Sequence, residues 1–426
     1  MAWLSVLPAI TFLAVICLVA DSNEARTLEL VNLVYRHGAR APGYVYPTDP
    51  NTLDTWPQGA SQLTQNGMRM QYSLGAFLRN RYMFNTSLLN NTYYRREQFY
   101  ARSSDTDRTL MSAETNLAAL FPPYDFQRWN KTLLWQPIPV HTLPIEDDTL
   151  LRQFDYDCQQ WNDLYEDFLA SEEHAQMKAN YSEFVEFVGN ETGLYSNLTF
   201  DNIGLVNDVI VCEEADNRTI ADWIGNNTRE TLQYLADYNM YSYYSTPEMA
   251  KLKGGMIVGK FVENMKNKTR GDLLPDNKYR MMMYSAHDIT IAGMMSAMNI
   301  SNGRIPPFAS CLMFELYLEE DGNYTVEIYY RNDSSKSPYP ITVPNCDFAC
   351  PFDTFVNLTR DDYLDDLYRA CENGQISKTF RLALIIGVSA AGAFLLVIIC
   401  VLVCKKFCKC CKRGPYTVQH DDYGYA

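Results

Sequence analysis

Residues 28–42 read LELVNLVYRHGARAP, an apolar run that stops abruptly at Arg36, His37 and Arg40. A short run rich in branched and aromatic residues reads as a buried strand. Its end is unusual, because an imidazole is set between guanidiniums where the strand would leave the core. Two other segments repeat the pattern. EQFYARSSDTDRTLMSAETNLAALF, residues 97–121, reads as a short strand ending at Arg102, a polar turn and a helix. KYRMMMYSAHDITIAGMMSAM, residues 278–298, reads as a strand ending at His287 and Asp288, followed by a helix. Strands separated by helices predict an α/β fold with parallel strands. In open sheets of that kind, ligands bind in the crevice beyond the carboxyl ends of the strands. If the three strands are neighbours, Arg36, His37, Arg40, Arg102, His287 and Asp288 converge there.

The remaining pattern fits around this core. LTQNGMRMQYSLGAFLRNRY, residues 63–82, has helical apolar spacing behind a Thr64 cap. Ser104 followed by Asp107 reads as a variant capping box. Residues 150–260 read as mostly helical. Residues 311–333 alternate about Asp321-Gly322 and read as a β-hairpin. A chain of 426 residues predicts two domains, or one with a large insertion.

Both ends are apolar. Residues 3–20 end in Leu18-Val19-Ala20 and read as a signal peptide over 1–20. Residues 382–404 hold no charge over 23 positions, and Lys405, Lys406, Lys409, Lys412 and Arg413 follow. That predicts one transmembrane helix with a cytoplasmic tail at 405–426. Residues 21–381 would then be lumenal or extracellular. Six cysteines fall in that part: Cys158, Cys212, Cys311, Cys346, Cys350 and Cys371. An even number there indicates an oxidising compartment and leaves the pairing open, with Cys346 and Cys350 the pair best suited by spacing. Thirteen Asn-x-Ser/Thr sites, from Asn85 to Asn357, predict a glycosylated surface. The formal net charge of −15 argues against a nucleic-acid partner.

Clustered guanidiniums cannot lose their charge, so they are tolerable together only around a multiply charged anion. Phosphate fits, because the arginine fork matches its oxygens. A histidine among such cations has its pKa pushed down, which keeps it neutral and nucleophilic. Asp288 would supply the proton that a leaving alkoxide needs. Those parts make a phosphoryl-transfer site that calls for no metal or other cofactor.

RHGARAP, with ARSSDTDRTLMSA and a distant HD, resembles the signature of the histidine acid phosphatases of the histidine phosphatase superfamily. IPVHTLPIEDDTLL, YSAHDITIAG, FELYLEEDGNYTVEIYYRN and PYPITVPNCDFACP are similar to stretches of its animal prostatic, lysosomal and testicular branch. The resemblance implies a phosphoglycerate-mutase-like α/β/α sandwich with a smaller, mainly helical insertion at about 125–250. It implies His37 as the nucleophile, forming a phosphohistidine, and Asp288 as the proton donor. Arg36, Arg40, Arg102 and His287 would bind the phosphoryl oxygens. It further implies disulfides Cys158–Cys371, Cys212–Cys311 and Cys346–Cys350, a homodimer, and a small phosphomonoester or a phosphoprotein as substrate. Many relatives carry Asp after the signature glycine, where this chain has Ala39. The tail tyrosines Tyr416 and Tyr423 lack the bulky apolar residue of a lysosomal sorting signal, so a cell-surface location stands beside a lysosomal one.

Other motifs carry less. GGMIVGKF, residues 254–261, matches a phosphate-loop pattern but has Phe261 in place of the hydroxyl and lies in a helical stretch. Ser285 lacks a nucleophile elbow. His141 reads as structural, and His174 and His420 as exposed. The cysteines at 400–411 beside the span suit palmitoylation. Two rival readings stay open: a phosphatase of narrower specificity, toward phytate or lysophosphatidate, and a non-catalytic adhesion or receptor ectodomain.

Overall fold

The structure is a computed structural model. It describes residues 26–89, 93–270 and 278–371, and the helical positions 396, 398, 399, 402 and 403. The signal-peptide and tail segments lie outside the described residues, as does the 382–404 span apart from those five positions. No helix among the described residues is long and apolar enough to cross a membrane.

The strands are β1 (Thr27–Arg36), β2 (Phe99–Ser103), β3 (Met281–Ala286), β4 (Cys311–Leu318), β5 (Tyr324–Arg331), β6 (Tyr339–Ile341) and β7 (Cys350–Pro351). They form one sheet in the order β2-β3-β1-β4-β5-β6, and β7 also pairs with β5. β2, β3 and β1 run parallel, as the strand–helix alternation predicts. β4 runs antiparallel to β1, and β5, β6 and β7 continue antiparallel. The sheet is therefore mixed, with its parallel part from the strand–helix segments and the expected hairpin in its antiparallel part. The reason is local: β4 to β5 turns through Asp321-Gly322, and hairpin connections permit only antiparallel neighbours. Gly322 sits at φ +83°, where a side chain would be strained.

The helices are α1 (Gln65–Arg79), α2 (Asp107–Leu120), α3 (Gln159–Leu169), α4 (Glu172–Asn180), α5 (Ser182–Thr192), α6 (Gly204–Ala215), α7 (Asn226–Ser242), α8 (Pro247–Thr269), α9 (Asp288–Ala297) and α10 (Phe352–Leu358). β1 buries both faces, which is why it reads as an unbroken apolar run. Leu30 and Val34 pack with Phe261, Val262 and Met294 of α8 and α9. Val31, Leu33 and Tyr35 pack on the other face with Leu74, Leu78 and Leu117 of α1 and α2. The sheet is thus the middle of three layers. Helices α8 and α9 approach closely at glycines, since a Cβ at Gly254 would fall 2.0 Å from the carbonyl oxygen of Gly293. The phosphate-loop-like GGMIVGKF is this packing surface within α8. A further core joins Tyr46 and Val188 to Val206, Val209, Leu232 and Leu235 of α6 and α7.

Cys158–Cys371 closes a separation of 213 residues and Cys346–Cys350 a short loop. In the chain-entropy account a loop of the larger size contributes about 5 kcal/mol. The third implied bridge is not formed: Cys212 and Cys311 are buried free thiols. The Cys212 sulfur on α6 accepts from Arg40 at 3.4 Å, while Cys311 opens β4 in the layer against α1. His174 is corrected from exposed to buried; it contacts Asp201 at 2.9 Å and the Tyr238 hydroxyl at 3.3 Å.

Candidate active site

Strand register decides which side chains meet. Arg36 is level with Ala286 at the ends of β1 and β3. The next residues, His37 and His287, therefore leave the sheet side by side, with ring centroids 5.6 Å apart. Gly38 lets this turn seat against α1, because a Cβ there would fall 2.2 Å from the carbonyl oxygen of Gly67. Ser112 of α2 accepts from the Gly38 amide at 3.1 Å, and Gln71 of α1 donates to the Arg36 carbonyl at 2.8 Å. The RHG turn is clamped by the helices of one layer.

Arg36 is buried and bonded on several sides. It pairs with Asp288 at 2.7 Å, donates to the Pro306 carbonyl at 2.7 Å and lies 4.2 Å over the Phe308 ring. Arg40 pairs with Asp208 of α6 at 2.9 Å. His37 Nδ1 donates to its neighbour's carbonyl, Gly38 O, at 2.8 Å. That bond places the lone pair on Nε2. Burial, then Arg36, His287, Arg108 and Arg40, hold His37 well below the usual histidine range, so it is neutral. His287 is held low in the same way, by burial first, then Arg108 and Arg152, against the pull of Asp288. Asp288 opens α9, and its Oδ1 accepts the Ile289 amide at 2.8 Å. Burial pushes its pKa up, but Arg36, Arg40 and His287 outweigh burial, and the net direction is down. Asp288 is therefore an ionised partner of Arg36 here.

Five of the six predicted residues meet: Arg36, His37, Arg40, His287 and Asp288. Arg102 does not. It pairs with Tyr284, which is level with Val34, so it sits two residues short of the Arg36–Ala286 level. At about 3.3 Å per strand residue that is about 6–7 Å below the crevice. Its guanidinium pairs instead with buried Asp148 and lines a separate cavity of about 230 Å³ with Tyr100, Lys260 and Lys268.

Two arginines that sequence reasoning missed take its place. Arg108, in the first turn of α2, reaches within 3.5 Å of His287 Nδ1. Arg152 reaches within 3.1 Å of His287 Nε2 and pairs with Asp155 at 2.6 Å. The signal for Arg108 was present in SSDTDRT, six positions beyond Arg102 and just inside the following helix. The capping-box reading of Ser104 is corrected with it: α2 begins at Asp107 behind Thr106, and the Ser104 hydroxyl lies 2.9 Å from His287 Nε2.

Arg36, Arg40 and Arg152 each have a carboxylate partner. Arg108 has none among the described residues, and its Nε is buried without a partner. Burial and the repulsion of Arg40, Arg152 and Arg36, opposed by Asp288, lower its pKa to about 10. An uncompensated guanidinium beside two neutral imidazoles is a seat for an anion. The Arg36–Asp288 pair lines a cleft of about 430 Å³ with Asn207, Asp208, Met240, Tyr243 and Pro307.

The profile of the histidine phosphatase superfamily (branch 2) matches residues 27–331, from the start of β1 to the end of β5. The chain belongs to that family. This branch-2 histidine phosphatase is 38% identical over 400 residues to lysosomal acid phosphatase of Rattus norvegicus, covering 93% of this chain and 92% of the relative. It is 42% identical over 337 residues to prostatic acid phosphatase of Homo sapiens, covering 78% and 85%. Its fold is also that of solved phytases. The apo form of Hafnia alvei phytase superposes with a TM-score of 0.63 at 18% identity, over 82% of this chain and 98% of the phytase. The tartrate complex gives 0.65 at 17% identity, over 82% and 99%.

Proposed function

We propose that this branch-2 histidine phosphatase is an acid phosphatase that hydrolyses phosphate monoesters through a phosphohistidine on His37. The observation that carries the reading is the His37 ring: its Nδ1 is engaged by Gly38, its Nε2 has no hydrogen-bond partner among the described residues, and it stands among guanidiniums of which Arg108 has no carboxylate partner among those residues. Its relatives named as acid phosphatases support the same activity. His37 Nε2 attacks phosphorus, the N–P bond forms and the ester P–O bond breaks. Asp288 gives its proton to the departing oxygen. Water then attacks the phosphohistidine, returns a proton to Asp288 and releases phosphate. Arg36, Arg40, Arg108 and His287 hold the phosphoryl oxygens as charge develops on them.

Asp288 must gain its proton with the substrate. An arriving phosphoryl anion competes for Arg36, removes the charge that holds the carboxyl low and adds negative charge beside it; both effects raise its pKa. A monoanionic ester can bring that proton, and a dianion cannot. The second ionisation of a phosphomonoester falls near pH 6, so kcat/KM is expected to fall about tenfold per pH unit above about 6. Asp288→Asn should cost alkyl phosphates about 10³-fold in kcat and nitrophenyl phosphate about tenfold, because only the alkoxide needs the proton. Equal losses on both leaving groups, measured with the full-length enzyme, would remove Asp288 from that role.

The rest of the chain places this chemistry. Residues 1–20 would direct it into the secretory route, 21–381 would form the lumenal or extracellular phosphatase domain with its helical insertion near 125–250, and 382–404 would anchor it as a type I membrane glycoprotein. The uncharged span and the basic cluster behind it support that orientation. The site would then face a lysosomal or endosomal lumen or the cell exterior. Homodimerisation has a surface to use. Phe126 is 76%, Trp129 60% and Leu134 60% exposed, with Trp135 and Leu143 beside them in sequence on the segment after α2. Leu134→Glu with Trp135→Glu is expected to halve the mass seen by light scattering and leave kcat/KM unchanged. A wild-type enzyme that is already monomeric would exclude the dimer.

A further inference from the structure

We infer that Arg152 is a positioning residue that fixes the tautomer of His287, so that Nδ1 carries the hydrogen and donates it to the phosphoryl group. The inference rests on the phosphatase reading above and adds a residue to it. Three groups border the His287 ring nitrogens. Arg152 Nη1 lies 3.1 Å and the Ser104 hydroxyl 2.9 Å from Nε2, and Arg108 Nη2 lies 3.5 Å from Nδ1. A guanidinium only donates, whereas a neutral imidazole has one donor and one acceptor nitrogen. Only one of the two arginines can therefore be satisfied by the ring. Arg152 is the closer, at hydrogen-bonding distance, and Arg108 is at the limit of the range.

The environment supports that order. Arg152 is ion-paired with Asp155 at 2.6 Å, and its Nη1 faces the ring at 3.1 Å. The Ser104 hydroxyl can turn its hydrogen either way, because it also meets the Thr109 hydroxyl at 2.9 Å. With Nε2 occupied as acceptor, the Nδ1 hydrogen points to the side of Arg108, which has no carboxylate partner among the described residues. Both donors then flank one position, and an anionic oxygen there accepts from both. Without Arg152 the proton can move to Nε2 and bond to Ser104. Nδ1 would then present a lone pair to the phosphoryl oxygen, repelling it where it should bind. Arg152 acts through His287 and makes no substrate contact in this account.

The test is a double-mutant cycle on the full-length enzyme, read by kcat/KM on nitrophenyl phosphate and by the inhibition constant of inorganic phosphate. Arg152→Met is expected to weaken phosphate inhibition about tenfold and to lower kcat/KM by a similar factor, the effect of losing one hydrogen bond to a charged group. Arg152→Lys keeps a donor and should recover most of both. The deciding value is the coupling. In a His287→Ala background, Arg152→Met should have almost no further effect on either constant. Full additivity, or an unchanged phosphate constant in Arg152→Met, would overturn the role. Arg152→Lys behaving as Met does would overturn it too, and keeps the test valid should Met compromise folding. Absence of any nitrophenyl phosphate turnover in the wild-type enzyme would instead strike at the phosphatase reading, so the two failures are distinguishable.

Discussion

His37→Ala should lower kcat on nitrophenyl phosphate by about 10⁴-fold or more, a barrier rise of about 5 kcal/mol. The size follows from the place of the ring. Its Nε2 is the unengaged nitrogen of a buried, neutral imidazole beside Arg108, so its removal deletes the atom that would bond to phosphorus. The neighbouring guanidiniums would remain and still bind phosphate, so the loss should lie in kcat with little change in phosphate inhibition. Stability should move little by comparison, because the ring's hydrogen bond is only to the carbonyl of the next residue. A variant that lost phosphate binding and kcat together would point to collapse of the turn between Arg36 and Arg40. A variant that kept wild-type turnover would remove His37 from the chemistry.

The second large effect separates two arginines six positions apart. Arg108→Ala should reduce kcat/KM by about 10²–10³-fold, the loss of about 3–4 kcal/mol of transition-state stabilisation. It should also raise stability or leave it unchanged, since Arg108 is repelled by Arg40, Arg152 and Arg36 before any anion arrives. Arg102→Ala should do the reverse. Its partner Asp148 is fully buried, and removing the guanidinium leaves that carboxylate unpaired, at a cost of about 3 kcal/mol. The Leu150 and Leu151 amides that Asp148 also accepts keep the cost at the lower end of the range. Melting temperature should therefore fall for Arg102→Ala and kcat/KM should hold. Thermal melts and steady-state kinetics on the two variants check both halves, and an exchange of the two outcomes would restore Arg102 to the site.

That pair also shows where sequence reading stops. β1 and β3 were legible because burial on both faces writes them as continuous apolar runs, and their ends carry the charges directly. His37, Arg36, His287 and Asp288 lie at or just beyond those ends, so finding the strand was enough to find them. Arg102 also ends a strand, yet the parallel register with β3 holds it two residues short of the crevice. Register is set by pairing partners, not by the local pattern, so nothing in residues 97–121 announces it. Arg108 and Arg152 act from a helix start and from a loop, and only the folded chain shows which way such residues face. Ser104 was mistaken for a helix cap for a related reason: the helix begins at Asp107, later than the box requires. The parallel half of the sheet was written in the strand–helix rhythm, and the β4–β5 part of the antiparallel half in the hairpin at Asp321-Gly322. The Cys212–Cys311 pairing came from resemblance alone, and here the two thiols sit in different packing clusters.

The central claim is the covalent step, and rapid denaturing quench of the full-length enzyme with labelled nitrophenyl phosphate tests it most directly. One phosphoryl group should appear on the peptide that carries His37, within the first turnover and at a stoichiometry approaching one per site. It should be absent from His37→Ala and should accumulate when the water step is slowed. Turnover with no label on His37, or label on another side chain, would contradict the mechanism.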